Sequence, residues 1–465
     1  MRSKKSNLKN VFAILALAFM SFVGILTETS LNVTFPTMMK QFNVSLDIIQ
    51  WTTTGYLLMI AIIMLASSYL NKRFTARQQF ACACLAFMIG SLISAAAPGF
   101  TILLLGRLIS AFGAGLSTPL MFNLIVEIMP RPKWGFYMGI AGLVVAMAPT
   151  LGPAFGGVIN YYFNWRWIFI IVTVFAFIVF LCGLIVIRKY HEIQKEKFLW
   201  LNFIILSLAL ISLTIGLNQI SHGLGNWLFW TLLVIAILLF EIFIHLSKKT
   251  ENNIIDLKVF EQKGFIYGSL AYFLLQFVNI GTSFVLPNYV QIVNGQTSLV
   301  GGLILLPGSI LAGLLNPYFG RLYDRMGAKF PLYLGGSLVT LSGLLFAVFG
   351  MHLSVLILVL FYGILMLGHR MAFSNTLAET LKLQSSDLRA DATAVCQTAQ
   401  QLAGSIGTTI LAAIMAIWQN KHNAPYSVLT AQGSQVAFIV TTVLGGLILF
   451  SYTRLFSIEK EKKNK

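Results

Sequence analysis

Long apolar runs set the rhythm of this chain, and its polar residues gather in short clusters between them. A membrane-spanning helix needs about 20 mostly apolar residues. Fourteen runs reach that length: Val11–Phe35, Ile48–Leu70, Gln79–Ala97, Thr101–Met129, Phe136–Tyr161, Trp167–Ile187, Phe198–Leu217, Trp227–Leu246, Phe265–Val290, Leu299–Phe319, Phe330–Gly350, Leu353–Leu377, Asp391–Trp418 and Val436–Tyr452. Each predicts a helix, because a backbone in lipid has to satisfy its own hydrogen bonds.

Composition removes the soluble alternatives. Of 465 residues, 57% are apolar and 10% charged, against roughly 25% charged in an average soluble domain. The net charge of +17 suggests nucleic acid until its placement is considered. With the first residues in the cytoplasm, 27 of the 32 basic residues fall in inner segments, and only Lys40, Arg166 and Lys421 lie outside. Arg107 and Arg370 fall within spans. Losing or adding one crossing would invert every later loop, so the positive-inside rule supports both the count and the orientation. The charge reads as a topology signal, with anionic lipid as a secondary partner. The first run follows a basic stretch, but its length, its Glu28 and the lack of a small-residue cleavage pattern lead us to expect it in the mature protein. Cys82, Cys84, Cys182 and Cys396 lie in apolar runs and read as buried hydrophobes, and neither they nor any other set of residues suggests a metal site.

A repeat divides the chain. Leu70 and Leu322, both at basic inner loops, are 252 positions apart, as are Gly152 and Gly404 in two small-residue patches. Spans 1–6 and 9–14 thus read as related six-helix halves, residues 1–190 and 263–465, with two helices inserted at 191–262. Parallel halves about an axis normal to the membrane are a transporter design, with the substrate site between them near the midplane. No phosphate-binding loop is present, so an ion gradient is the expected energy source.

Five motifs carry a resemblance. They are Thr27-Glu28-Thr29-x-Leu31-Asn32-Val33 followed by Pro36; Gly106-Arg107 with Gly113-Ala114-Gly115; Ala148-Pro149-x-x-Gly152-Pro153-x-x-Gly156-Gly157; Asn164-Trp165-Arg166-Trp167-Ile168-Phe169; and Gly320-x-Leu322-x-Asp324-Arg325-x-Gly327-x-Lys329. In this order the chain resembles the major facilitator superfamily, and within it the fourteen-helix drug–proton antiporters of the lincomycin-resistance type. The resemblance implies an all-α membrane protein of the major facilitator fold, two six-helix bundles plus two inserted central helices. It implies a proton-coupled exporter of small lipophilic drugs in a bacterial plasma membrane, both chain ends cytoplasmic, with no cofactor, metal or nucleic acid. A monomer is expected. Departures exist. Ser68, Lys72 and Thr75 replace the glycine, aspartate and glycine usual in the first-half loop, leaving Asp324 as the intact copy. Ser110 replaces a common glutamine, and span 10 lacks the carboxylate of relatives that export dications.

Glu28 is the one acid well inside a span, and an unpartnered charge there costs about 2.5–3.5 kcal/mol on insertion scales. It either keeps a proton or finds a cation. At 1.5 Å per residue, Glu28 lies roughly 25 Å from the inner side and Arg107 roughly 9 Å from the outer side, so the two are expected to couple. Gly152, Pro153, Gly156 and Gly157 are expected to seal span 5 by close packing and a bend. Gly320, Asp324, Arg325, Gly327 and Lys329 are the expected inner gate, with the carboxylate docking in one conformation and free in the other. For the drug pocket, Asn32, Trp51, Tyr56, Asn123, Tyr272, Gln276, Asn279, Gln397 and Gln401 are the polar or amphipathic candidates within spans, each equally open to helix–helix bonding. His369 and Arg370 sit unusually deep in span 12 and stay open between a second proton or substrate contact and structural pairing. Export of an endogenous lipid, peptide or metabolite is the alternative. An enzyme is not expected, since no zinc-binding helix, paired intramembrane aspartates or nucleophile elbow occurs, and a sensor or channel would not explain the repeat.

Overall fold

Residues 2–130, 133–187, 198–223, 225–249, 254–385, 387–421 and 423–463 are described by a computed structural model. They are helical almost throughout, and fourteen helices or helix pairs are long and apolar enough to cross a membrane. The first half comprises α1 (Arg2–Leu31), α2 (Phe35–Phe42), α3 (Leu46–Ile49), α4 (Trp51–Arg73), α5 (Ala76–Ala96), α6 (Phe100–Ile128), α7 (Trp134–Tyr162) and α8 (Arg166–Val186). The inserted pair is α9 (Trp200–Asn218) and α10 (Trp227–Lys249). The second half holds α11 (Lys263–Ile292), α12 (Ser298–Leu303), α13 (Leu306–Met326), α14 (Lys329–Phe349), α15 (Val355–Lys382), α16 (Arg389–Gln419) and α17 (Tyr426–Lys463). Three crossings are broken: α1 passes through a tight turn at Asn32–Thr34 into α2, α3 leads into α4, and α12 leads into α13. Pro36 and Pro307 sit in the first turn after two of these breaks, where a missing amide proton costs nothing.

Two features differ from the reading above. The helix of span 10 runs on to Met326, so Asp324 and Arg325 ride its last turn rather than a loop. Only Cys84 and Cys396 are buried; Cys82 and Cys182 are exposed on lipid-side helix faces, where a thiol behaves as any small apolar group.

Between helices, lipid gives no hydrophobic drive, so small residues set the contacts. A methyl group added at Gly106 would stand 2.7 Å from the Gly90 carbonyl oxygen, joining α6 to α5. One added at Gly368 would stand 2.6 Å from the Gly335 carbonyl oxygen, joining α15 to α14. The same pair of crossings is thus riveted in the same way in both halves. The inserted α9 packs against α10 and lies along both α4 and α16, one helix from each half.

The chain's two ends lie on one face, here the terminal face; the other is distal. Between described residues, the hydrogen bonds joining the halves gather toward the distal end. Thr54 pairs with Thr409 (3.0 Å) and Ser405 Oγ donates to the Thr54 carbonyl (3.1 Å). Gln291 Nε2 donates to the Val33 carbonyl (2.8 Å), and Phe35 meets Phe284 edge-on at 5.7 Å. Toward the terminal face α7 and α13 part, leaving Leu143 63% and Leu314 75% exposed. The molecule is closed distally.

Candidate functional site

The first-half centre is built by how tightly α6 is drawn in. Gly113 is pressed on α5, a methyl group added at Gly115 would stand 3.0 Å from Ile63 Cβ on α4, and Gly24 of α1 faces the Ala114 methyl. Arg107, next to Gly106, is consequently fully buried. Its Nε donates to the Thr52 carbonyl at 3.1 Å, and its guanidinium carbon lies 3.8 Å above the Tyr56 ring. The Tyr56 hydroxyl in turn donates to the Gly24 carbonyl at 3.0 Å, one turn before Glu28. Both Arg107 Nη atoms are buried without a partner. Glu28 is 4% exposed, and Glu28, Tyr56 and Arg107 lie within one another's electrostatic reach. No Glu28–Arg107 ion pair within 4.0 Å forms among the described residues. A guanidinium held by one carbonyl and by the Tyr56 ring, with the Phe169 ring at 5.9 Å and both Nη groups idle, can receive the carboxylate once its proton has left.

Immediately distal to Glu28, α1 meets the span-5 motif. Ser30 Oγ donates to the Gly152 carbonyl at 2.9 Å, and a methyl group at Gly156 would stand 2.8 Å from Ser30 Cα. Gly157 faces the second half instead, where a methyl group would stand 2.6 Å from the Ser298 carbonyl oxygen and 3.1 Å from Gly302 Cα. Pro153 packs its carbonyl group on Gly302. These four residues touch both the acid-bearing helix and the opposite bundle.

The five loop-motif residues stand apart at the terminal face. Asp324 and Arg325 are exposed, Lys329 lies with its Nζ 5.6 Å from the Phe456 ring centre, and nothing stands near Gly320. Gly327 ends α13 at φ 75°, a left-handed backbone that favours glycine. Among the described residues, no hydrogen bond or ion pair joins Asp324 or Arg325 to the first half.

The pocket candidates divide. Tyr56 is fully buried and belongs to the arginine centre; Asn32 Oδ1 accepts from Thr53 at 2.9 Å at the distal closure. Trp51 is half-buried near that closure, and Asn123 is exposed on the terminal half of α6. Tyr272, Gln276 and Asn279 follow one another at helical spacing along α11, as Gln397 and Gln401 do on the adjoining α16. They form the second-half polar stripe. Sequence reasoning missed the distal polar chain, in which Gln50 Nε2 donates to Asn218 Oδ1 (2.9 Å), Thr54 donates to Gln50, and Ser221 donates to Asp47 (3.3 Å). The unbroken Thr52-Thr53-Thr54 run, wholly buried, was its signal.

Two matched helical bundles closed at one end have the architecture of a membrane transporter. Residues 17–408 match the Major Facilitator Superfamily, and the chain belongs to it. It is 32% identical over 415 residues, 88% of this chain and 86% of the relative, to the lincomycin resistance protein LmrB of Bacillus subtilis (strain 168). It is 26% identical over 405 residues, 85% of this chain and 74% of the relative, to a multidrug resistance protein B homolog of Mycobacterium tuberculosis (strain ATCC 25618 / H37Rv). Among solved structures, the inward-facing, unoccupied form of a bacterial homolog to the human lysosomal transporter Spinster superposes with a TM-score of 0.71. It is 13% identical and covers 97% of this chain and 98% of that one.

Proposed function

We propose that this transporter is a proton-coupled antiporter exporting lipophilic drugs by alternating access. The reading rests above all on Glu28, buried without an ion pair, beside an arginine with two idle donors and directly beneath the distal seal. An acid at that depth holds either a proton or a cation, because the bare charge costs about 2.5–3.5 kcal/mol. Opened distally, the empty site takes a proton. Opened at the terminal face, proton release lets Glu28 turn to Arg107 or a cationic drug, and the loaded form reverses. The basic residues crowd the terminal-face segments, which supports a cytoplasmic terminal face, and the bacterial relatives support a plasma-membrane location. The relatives' names, lincomycin and multidrug resistance, support drugs as cargo. The protein acts as a monomer, its basic loops touching anionic lipid.

The test is ethidium export by inverted vesicles, with and without a collapsed pH gradient. Glu28→Gln is expected to insert normally and lose at least 99% of gradient-driven export. Export at the unmodified rate from that variant overturns the proposal.

A further inference from the structure

The second half carries a cation with no counter-charge. Arg370 lies on α15 about 18 Å from its terminal end at 1.5 Å per residue, close to the midplane. Its Nε is buried and has no hydrogen-bond partner. Among the described residues its own helix offers one acid, Glu379, about 14 Å further along at 1.5 Å per residue and on the opposite side. Glu379 is already taken by Tyr323 and by Lys382 at 3.3 Å. The packed neighbours supply nothing closer: α11 and α14 contain no acid, α13 carries Asp324 in its last turn, and α16 carries Asp391 in its first.

Beside Arg370, His369 is 3% exposed and neither ring nitrogen has a partner. Its ring stacks on Phe373 (4.8 Å, 23°), and Phe373 stacks on Tyr272 of α11 (4.3 Å, 16°). The Tyr272 hydroxyl donates to Gln400 Oε1 of α16 at 2.7 Å, which ties the ladder across three helices. Tyr272 and Phe373 both lie about 14 Å from the terminal ends of their helices at 1.5 Å per residue, at the depth where such bundles hold cargo. An aromatic wall, an imidazole without partners and a guanidinium without an acid close by on the packed helices form a set suited to an anion. Arginine presents a fork that matches carboxylate, sulfonate or phosphate oxygens in pairs.

We infer that Arg370 and His369 form an anion-accepting subsite for an amphipathic organic acid, whose apolar part lies along the edge of the His369–Phe373–Tyr272 ladder. This deepens the exporter reading, on which it rests only for the direction of movement. It adds to the first-half acid a second pole of opposite sign, so that one binding centre accommodates cationic, anionic and zwitterionic amphiphiles. The anion comes either from a free acid or from an acidic lipid headgroup.

The experiment is equilibrium dialysis of radiolabelled naphthalene-2-sulfonate and its uncharged isostere naphthalene-2-sulfonamide against the purified full chain in nanodiscs. In discs of zwitterionic lipid the sulfonate is expected to bind at least tenfold more weakly to Arg370→Gln, with the sulfonamide unchanged and Arg370→Lys recovering part of the loss. Discs containing phosphatidylglycerol distinguish the sources: undiminished binding identifies a free acid as the ligand, and competition that vanishes in Arg370→Gln identifies the lipid. If Arg370→Gln does not insert, His369→Phe keeps the ring ladder and should weaken the sulfonate at least threefold. Equal binding by unmodified protein and both variants, or equal loss of sulfonate and sulfonamide, overturns the inference. Absence of gradient-driven ethidium export by the unmodified protein alongside intact sulfonate selectivity would remove the exporter reading and leave the subsite standing.

Discussion

The two halves meet along two seams that are made differently. Where α4 faces α16, the contact is between side chains: Thr54 with Thr409 and Ser405, extended by Gln50 to Asn218 of the inserted pair. Where α7 faces α12, the contact is mostly between backbones, with Gly302 against Pro153 and Gly157 against Ser298, whose Oγ also donates to the Gly157 carbonyl at 3.4 Å. Hydroxyl groups can exchange partners as helices slide, with each bond worth about 0.5–1.5 kcal/mol net. A contact in which glycine backbone touches the facing main chain is all or nothing, since any added atom holds the helices apart. The first seam is also covered by α9, whereas the second runs bare toward Leu143 and Leu314. One seam is adjustable and shielded; the other is a stop.

Substitutions along each seam test this contrast, beginning with the largest effect. Gly157→Val places carbon where Ser298 and Gly302 stand, so gradient-driven dye export should fall below a hundredth of the unmodified rate. Normal insertion, checked by size-exclusion chromatography, would show that closure rather than folding was lost. At the other seam, Thr54→Val removes one hydroxyl and should shift the closed-to-open balance by about 1 kcal/mol, roughly fivefold. Thiol labelling of a cysteine introduced in place of distal Asn43 would report it. Equal losses at both seams would abolish the distinction. Smallest, Leu314→Ala on the bare stretch should change thermal stability by less than about 0.5 kcal/mol; a larger effect would mean that the bare face is packed in the bilayer.

The crossings were legible in the sequence because lipid leaves a chain few choices. The pairing of Glu28 and Arg107 at one level followed from counting along two helices that run in opposite directions. Counting gives depth, however, and not the direction in which a side chain points. That is why Tyr56, expected in the cargo wall, clasps Arg107, and why Asn32 is tied to Thr53. The bond between Gln50 and Asn218 joins residues 168 positions apart, with no local pattern to announce it. The Thr52-Thr53-Thr54 run offered a hint without a partner. Span 10 outran its apolar stretch because Arg321 and Arg325 are good helix formers in water, and a basic residue suits a helix's last turn.

Ser30 and Gly156 touch main chain to main chain, two residues from the carboxylate. No pliable side chain lies between them to absorb a displacement. A twist or tilt of the acid-bearing helix is therefore handed to the sealing helix undamped, as a cam drives its follower, and slippage between chemical state and barrier position has little room to develop.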